Sequence, residues 1–142
     1  KVVANLDRIL KSNSLSKLTR KLVDQRLEDR IGKYDRRDIL MISAVLHVVG
    51  KPISLINNSD NTTRCPAHEI IGASLIPQFS KRFSLADGGE KHIKKLVEYH
   101  SLFIDIRNQV LIKGKSNIIS AYTKTYLAKR TLNCYYFILL TC

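Results

Sequence analysis

The stretch DRRDILMISAVLHVVG, Asp35 to Gly50, decides the fold. Asp35 stands where a helix N-cap belongs, because its carboxylate can accept a backbone N–H of the first turn. From Ile39 to Val49 the side chains are apolar on nearly every side. A helix of that kind belongs in the middle of a bundle, since no face of it suits water. Val and Ile are abundant, so a buried strand competes. Length decides for helix, because a strand is typically about 5–6 residues long. Gly50 can take the left-handed position after the last turn, and Pro52 cannot continue the helix. The central helix is therefore expected over 36–49.

Working outward, the helical period continues on both sides. Val2, Val3, Leu6, Ile9 and Leu10 recur at three and four residues, which predicts a short helix over about 2–12. Leu15, Leu18, Leu22, Val23, Leu27 and Ile31 form the next stripe, with Gly32 near its end. Residues 53–64 (ISLINNSDNTTR) form the clearest loop, since Asn, Ser, Asp and Thr bond their own backbone and compete with regular structure. Pro66 suits the first turn of a helix through about 75. Pro77 interrupts it, and Ala86-Asp87-Gly88-Gly89 make a second loop. Ile93, Leu96, Val97, His100, Phe103, Ile104, Val110 and Leu111 predict a long helix over about 90–112, and Ile118, Ile119, Tyr122, Tyr126 and Leu127 a last one to about 138. Strands do not alternate with helices. The expectation is an all-α bundle of about six helices.

The chain has 142 residues, 44% of them hydrophobic and 25% charged, which suits one globular domain over 1–142. Because it starts at Lys1 rather than Met, it reads as a fragment of a longer chain. Bulk disorder is excluded, since this much apolar surface can offset the ordering entropy of the chain. No apolar run reaches the length of a membrane span, and no signal peptide opens the chain. Cys65, Cys134 and Cys142 are odd in number and irregular in spacing, so a disulfide framework is not expected and a reducing intracellular compartment is. Asn57-Asn58-Ser59 and Asn61-Thr62-Thr63 match the glycosylation sequon but read as polar turns.

Charge is the loudest feature. Lys and Arg number 24 against 12 Asp and Glu, a formal +12. The excess lies at the two ends, about residues 1–37 and 106–142, with a neutral middle. If the first and last helices lie side by side, one cationic wall results. The candidates for meeting phosphates on it are Lys17, Arg20, Lys21, Arg36 and Arg37 in the first arm, and Lys113, Lys115, Lys124, Lys129 and Arg130 in the last. Many weak cation contacts with a polyanion sum through counterion release. The Lys113-Gly-Lys115-Ser-Asn117 turn opens a helix whose backbone N–H groups can seat a phosphate.

Little in the chain spells out catalysis. Cys65-Pro-Ala-His68 has the gap of a zinc knuckle, with His92 and His100 as the remaining candidates. Those two are eight residues apart, roughly 12 Å of helical rise, and cannot share one ion without a bend. His68 reads as a solvent-facing residue at a helix start, His100 as a hydrogen-bonded core histidine, and His47 as a buried neutral one. No phosphate-cradling glycine loop, nucleophile elbow or base-nucleophile set is present. Lys115–Thr131 (KSNIISAYTKTYLAKRT) resembles the basic helical thumb of intron maturases over 17 of 142 residues, without that domain's upstream aromatic motif, and no residue role follows from it.

The expectation is therefore a non-catalytic basic domain that binds RNA or DNA within a nucleoprotein, viral nucleocapsid or transcription assembly. No catalytic residue, metal or cofactor is expected. The alternative is a protein-interaction or oligomerisation module. Its partner would be an acidic protein or a second copy, met by the basic face or the apolar C-terminal run from Cys134 to Cys142. Membrane binding is disfavoured, because apolar stripes on several helices can pack against one another.

Overall fold

The Asp35 carboxylate accepts the backbone N–H of Asp38 at 2.8 Å, the N-cap bond its position suggested. In the computed structural model, which describes residues 2–11, 16–85 and 88–101, this cap starts α3, Arg36–Leu46. Its neighbours along the chain are α1 (Val2–Lys11), α2 (Lys17–Glu28), α4 (Lys51–Ser54), α5 (His68–Phe83) and α6 (Gly89–Tyr99). The all-α bundle is thus present, with two small hairpins added. The expected last helix to about 138, the outer part of the 90–112 helix and the C-terminal apolar run lie outside the described residues.

α3 occupies the centre. Ile39, Leu40, Ala44 and Leu46 are buried on it, and α1, α2 and α6 pack around it. Leu6 and Leu10 come from α1, Val23 and Leu27 from α2, Ala73 and Ile76 from α5, and Ile93, Leu96 and Val97 from α6. Ser43 is fully buried, and its hydroxyl is satisfied by donating to the Ile39 carbonyl at 2.7 Å. One expectation is corrected: α3 is not buried all round, since Val45 is 56% exposed.

The hairpins replace segments read as helix end or loop. β1 (Arg30–Ile31) pairs antiparallel with β2 (Tyr34–Asp35) in the register Ile31 to Tyr34. Gly32, read as a helix terminator, instead makes their turn at φ +62°, a conformation L side chains rarely adopt. β3 (Ile56–Asn57) pairs with β4 (Thr63–Arg64) across the polar loop. Within it the Asp60 carboxylate accepts from Thr62 N–H at 2.9 Å, so the short polar residues do bond their own backbone.

Two helix boundaries also differ from expectation. Gly50 has φ −80° and is not a left-handed cap; it leads into α4, with Pro52 in that helix's first turn. Pro77 does not interrupt α5, which runs through it to Phe83.

Candidate metal centre

The polypeptide reverses direction tightly after α3. Residues 47–50 form a turn, α4 and the β3–β4 hairpin follow, and α5 then starts at His68. Gly50 makes this geometry possible. A Cβ on it would lie 2.2 Å from the His68 carbonyl oxygen and 2.5 Å from the Gly72 nitrogen, both backbone atoms that cannot move aside. Gly72 reciprocates, with its own Cβ position 3.4 Å from the Gly50 nitrogen. Two glycines therefore bring the exit of α3 onto the first turn of α5. α6 packs on both α3 and α5, which places its C-terminal end at the same spot.

Three histidines meet there. His47 follows the last residue of α3, His68 opens α5, and His100 follows the last residue of α6. The His47 and His100 rings lie edge to face at 5.1 Å, and those of His68 and His100 at 5.2 Å. His100 is buried; His47 and His68 are partly buried.

Each ring is anchored in the same way. Nδ1 of His47 donates to the Ala44 carbonyl at 2.6 Å, that of His68 to Cys65 at 2.9 Å, and that of His100 to Val97 at 2.7 Å. A carbonyl oxygen only accepts, so Nδ1 carries the proton in every case. In the neutral ring Nε2 then keeps its lone pair, and the bond fixes the ring's orientation. At His47 and His100 the carbonyl belongs to a last helical turn, where such groups lack an intrahelical partner.

Glu69 joins the cluster. Its carboxylate is 3.4 Å from His68 Nδ1, and its side chain is 20% exposed. Ligand atoms of His68, Glu69 and His100 all lie within 4.8 Å of one another. That is close to the span one ion covers with bonds of about 2.0–2.2 Å to imidazole nitrogen and carboxylate oxygen.

The electrostatics agree. Burial lowers the pKa of His47, against its Ala44 bond, and Lys51 and His68 lower it further. Burial likewise lowers that of His100, against its Val97 bond and Glu69, with His47 and His68 adding to the fall. Neutral imidazole is the form that can ligate a cation. For Glu69 burial raises the pKa, but the Ser101 hydrogen bond, the backbone bond and the nearby His68 and His100 together bring it down. The C-terminal ends of α3 and α6 add negative partial charge beside the cluster. Imidazoles, one carboxylate and two negative helix ends suit a divalent cation.

In this mostly helical fold, histidines and a carboxylate gathered at helix ends form a group that could hold a metal ion. The chain belongs to the HD domain family, whose model matches residues 16–133. No curated protein and no solved structure matches it. Members of this family are typically metal-dependent phosphohydrolases, and this overturns the expectation of a non-catalytic RNA- or DNA-binding domain of a viral or nucleoprotein assembly. The expectation that the chain is not an enzyme is corrected by the same match and by the His-Glu-His group, which could hold a metal ion.

The structure gives the histidines more than the separate structural roles expected of them from the sequence. His100 is the hydrogen-bonded buried residue expected, yet it also faces His47 and His68. His68 opens a helix as expected but does not face solvent, its side chain being 16% exposed. His92 does not pair with His100; its Nδ1 is bonded to Gly88. Cys65 contributes its backbone oxygen, and its thiol is absent from the group.

The cationic candidates lie elsewhere. Lys17 and Lys21 are exposed on α2. Arg20 donates to the Leu10 carbonyl and lies 4.0 Å from Asp24. Arg36 is 3.5 Å from Asp29, and Arg37 is 3.7 Å from Asp24. Lys113, Lys115, Lys124, Lys129 and Arg130 are outside the described residues. Among the described residues, no helix is long and apolar enough to cross a membrane.

Proposed function

We propose that this chain is a metal-dependent phosphohydrolase acting on a phosphate ester. The observation that carries the reading is the convergence of His68, Glu69 and His100, with His47 against them, in a chain of the HD domain family. These side chains would hold a divalent transition cation, for which imidazole and carboxylate are suitable donors. When bound, such a cation polarises a phosphoryl oxygen and makes water a usable nucleophile near neutral pH.

The protein groups have separate tasks. The backbone bonds at Nδ1 hold the three rings in their orientations. Glu69, with its lowered pKa, stays ionised and balances positive charge. Lys51 is exposed at the start of α4, close enough to His47 to depress its pKa. A cation there is suited to meet a substrate phosphate and to stabilise the charge that grows on its oxygens during hydrolysis.

The test is hydrolysis of p-nitrophenyl phosphate and bis-p-nitrophenyl phosphate by the full chain. Protein stripped with EDTA is assayed alone and after addition of Mn²⁺, Co²⁺ or Mg²⁺. Release of nitrophenol should depend on the metal, and His100→Gln should lower it by about a hundredfold or more, as for loss of a direct ligand. Lys51→Ala should reduce kcat/KM by roughly tenfold, a modest value for an exposed electrostatic group. Absence of turnover with every metal and both esters would sink the reading.

A further inference from the structure

Between His47 and His68 the chain makes an arm. Its near end is Gly50, set against the His68 carbonyl oxygen and the Gly72 nitrogen. Its far end is Cys65, whose carbonyl accepts from His68 Nδ1. The arm therefore leaves and returns at the candidate metal centre. α4 and the β3–β4 hairpin lie along it, and of residues 51–67 only Ser54 is buried.

This exposure is not that of an ordinary polar loop. Ile53, Leu55 and Ile56 are 64%, 53% and 47% exposed, three large aliphatic side chains within four residues. Ser54 between them turns inward, its hydroxyl donating to the Gly50 carbonyl at 3.1 Å. α4 is a single turn, about 6 Å of rise, so Ile53 stands within that distance along the helix of the point where Gly50 meets His68. Ligand sites are commonly built this way: a few polar groups take the reacting end, and apolar side chains cover the rest. From His47 to Gly72 the chain has no Phe, Tyr or Trp, so the arm offers no aromatic ring on which a nucleobase could stack.

We propose that the substrate is a phosphate monoester of an aliphatic alcohol, its phosphate at the candidate metal centre and Lys51, its chain along Ile53, Leu55 and Ile56. This names a substrate class for the site described above and rests on the phosphohydrolase reading. In the reaction a water oxygen bonds to phosphorus as the phosphorus–oxygen bond to the alcohol breaks. One proton of the water goes to the alcohol oxygen, and the products are the free alcohol and inorganic phosphate.

The experiment is release of inorganic phosphate from methyl, butyl and octyl phosphate and from 5′-AMP, each below its aggregation concentration. The EDTA-stripped full chain is assayed with Mn²⁺, Co²⁺ or Mg²⁺ added. A fully buried methylene is worth about fourfold in an equilibrium constant and a half-covered one about twofold. Octyl phosphate should therefore exceed butyl phosphate by about tenfold in kcat/KM, and should exceed AMP. Ile53→Ser and Leu55→Ser should each lower the octyl-to-butyl ratio by about threefold, with circular dichroism confirming the fold. Leu18→Ser, at a leucine 70% exposed on α2, should leave the ratio as in the wild type. Octyl phosphate no better than butyl phosphate, or AMP ahead of both, overturns this proposal; metal-dependent turnover of the nitrophenyl esters in the same preparation leaves the functional reading standing. A ratio unchanged in both arm variants overturns it as well. Absence of turnover of every ester with every metal brings down both.

Discussion

Each histidine of the cluster makes its own local bond, and this decides what the ring can do. Nδ1 is committed to a carbonyl three residues earlier, so the opposite nitrogen is the one left for chemistry. Burial adds a pH dependence. His47 and His100 have lowered pKa values in the folded chain, whereas an unfolded histidine protonates near about pH 6.5. As pH falls through that range, the unfolded state takes up protons that the folded state refuses. Stability of the metal-free protein should therefore be complete above about pH 6.5 and decline as the solution is acidified towards the folded pKa values. Urea titrations in EDTA at successive pH values measure this. The slope between neutral and mildly acidic pH should shrink in His100→Gln, and an unchanged slope would remove His100 from the account.

The helices and their junctions carry the cluster. α3 could be read from its sequence because its signals are local: a carboxylate cap at Asp35 and a long apolar run. The hairpins could not, because strands of two residues are too short to show a period of two. Gly32 and Gly50 illustrate the limit. Both look like helix stops, but one makes a hairpin turn at positive φ and the other leaves room for a neighbouring backbone. Gly50→Ala should accordingly do more than weaken a helix end. Its methyl group would meet the His68 carbonyl and the Gly72 nitrogen, so α4 and α5 must separate. We expect a loss of about 1–3 kcal/mol in urea unfolding, the usual cost of overpacking. Since the displaced group is the backbone of His68, Co²⁺ affinity should fall as well. Retention of both stability and affinity would show that the glycine contact is not needed.

Across the molecule, the site is a meeting of three helix ends, so occupancy and folding are linked. A cation that binds the folded chain and not the unfolded one adds about 2.7 kcal/mol at a hundredfold excess over Kd. For a chain of this size that is roughly 5–10 °C in Tm. Thermal scans with Co²⁺ and with EDTA should differ by this order, and the difference should vanish in a His68→Gln, His100→Gln double variant. Equal midpoints for the wild type under both conditions would contradict a site that spans α5 and α6. Part of the N-terminal excess is answered locally by Asp24 and Asp29, which lie close to Arg20, Arg37, Arg26 and Arg36.

Periodicity, caps and loop composition are properties of neighbours in the chain, so the helical class, the central place of α3 and the polar loop before α5 were legible in the amino-acid order. The candidate metal centre was not. His47, His68 and His100 lie far apart in the chain, and each has a sufficient structural explanation when taken singly. Their meeting depends on a glycine-to-glycine backbone approach and on α6 packing against both α3 and α5. Those are contacts between distant segments, and no local pattern encodes them.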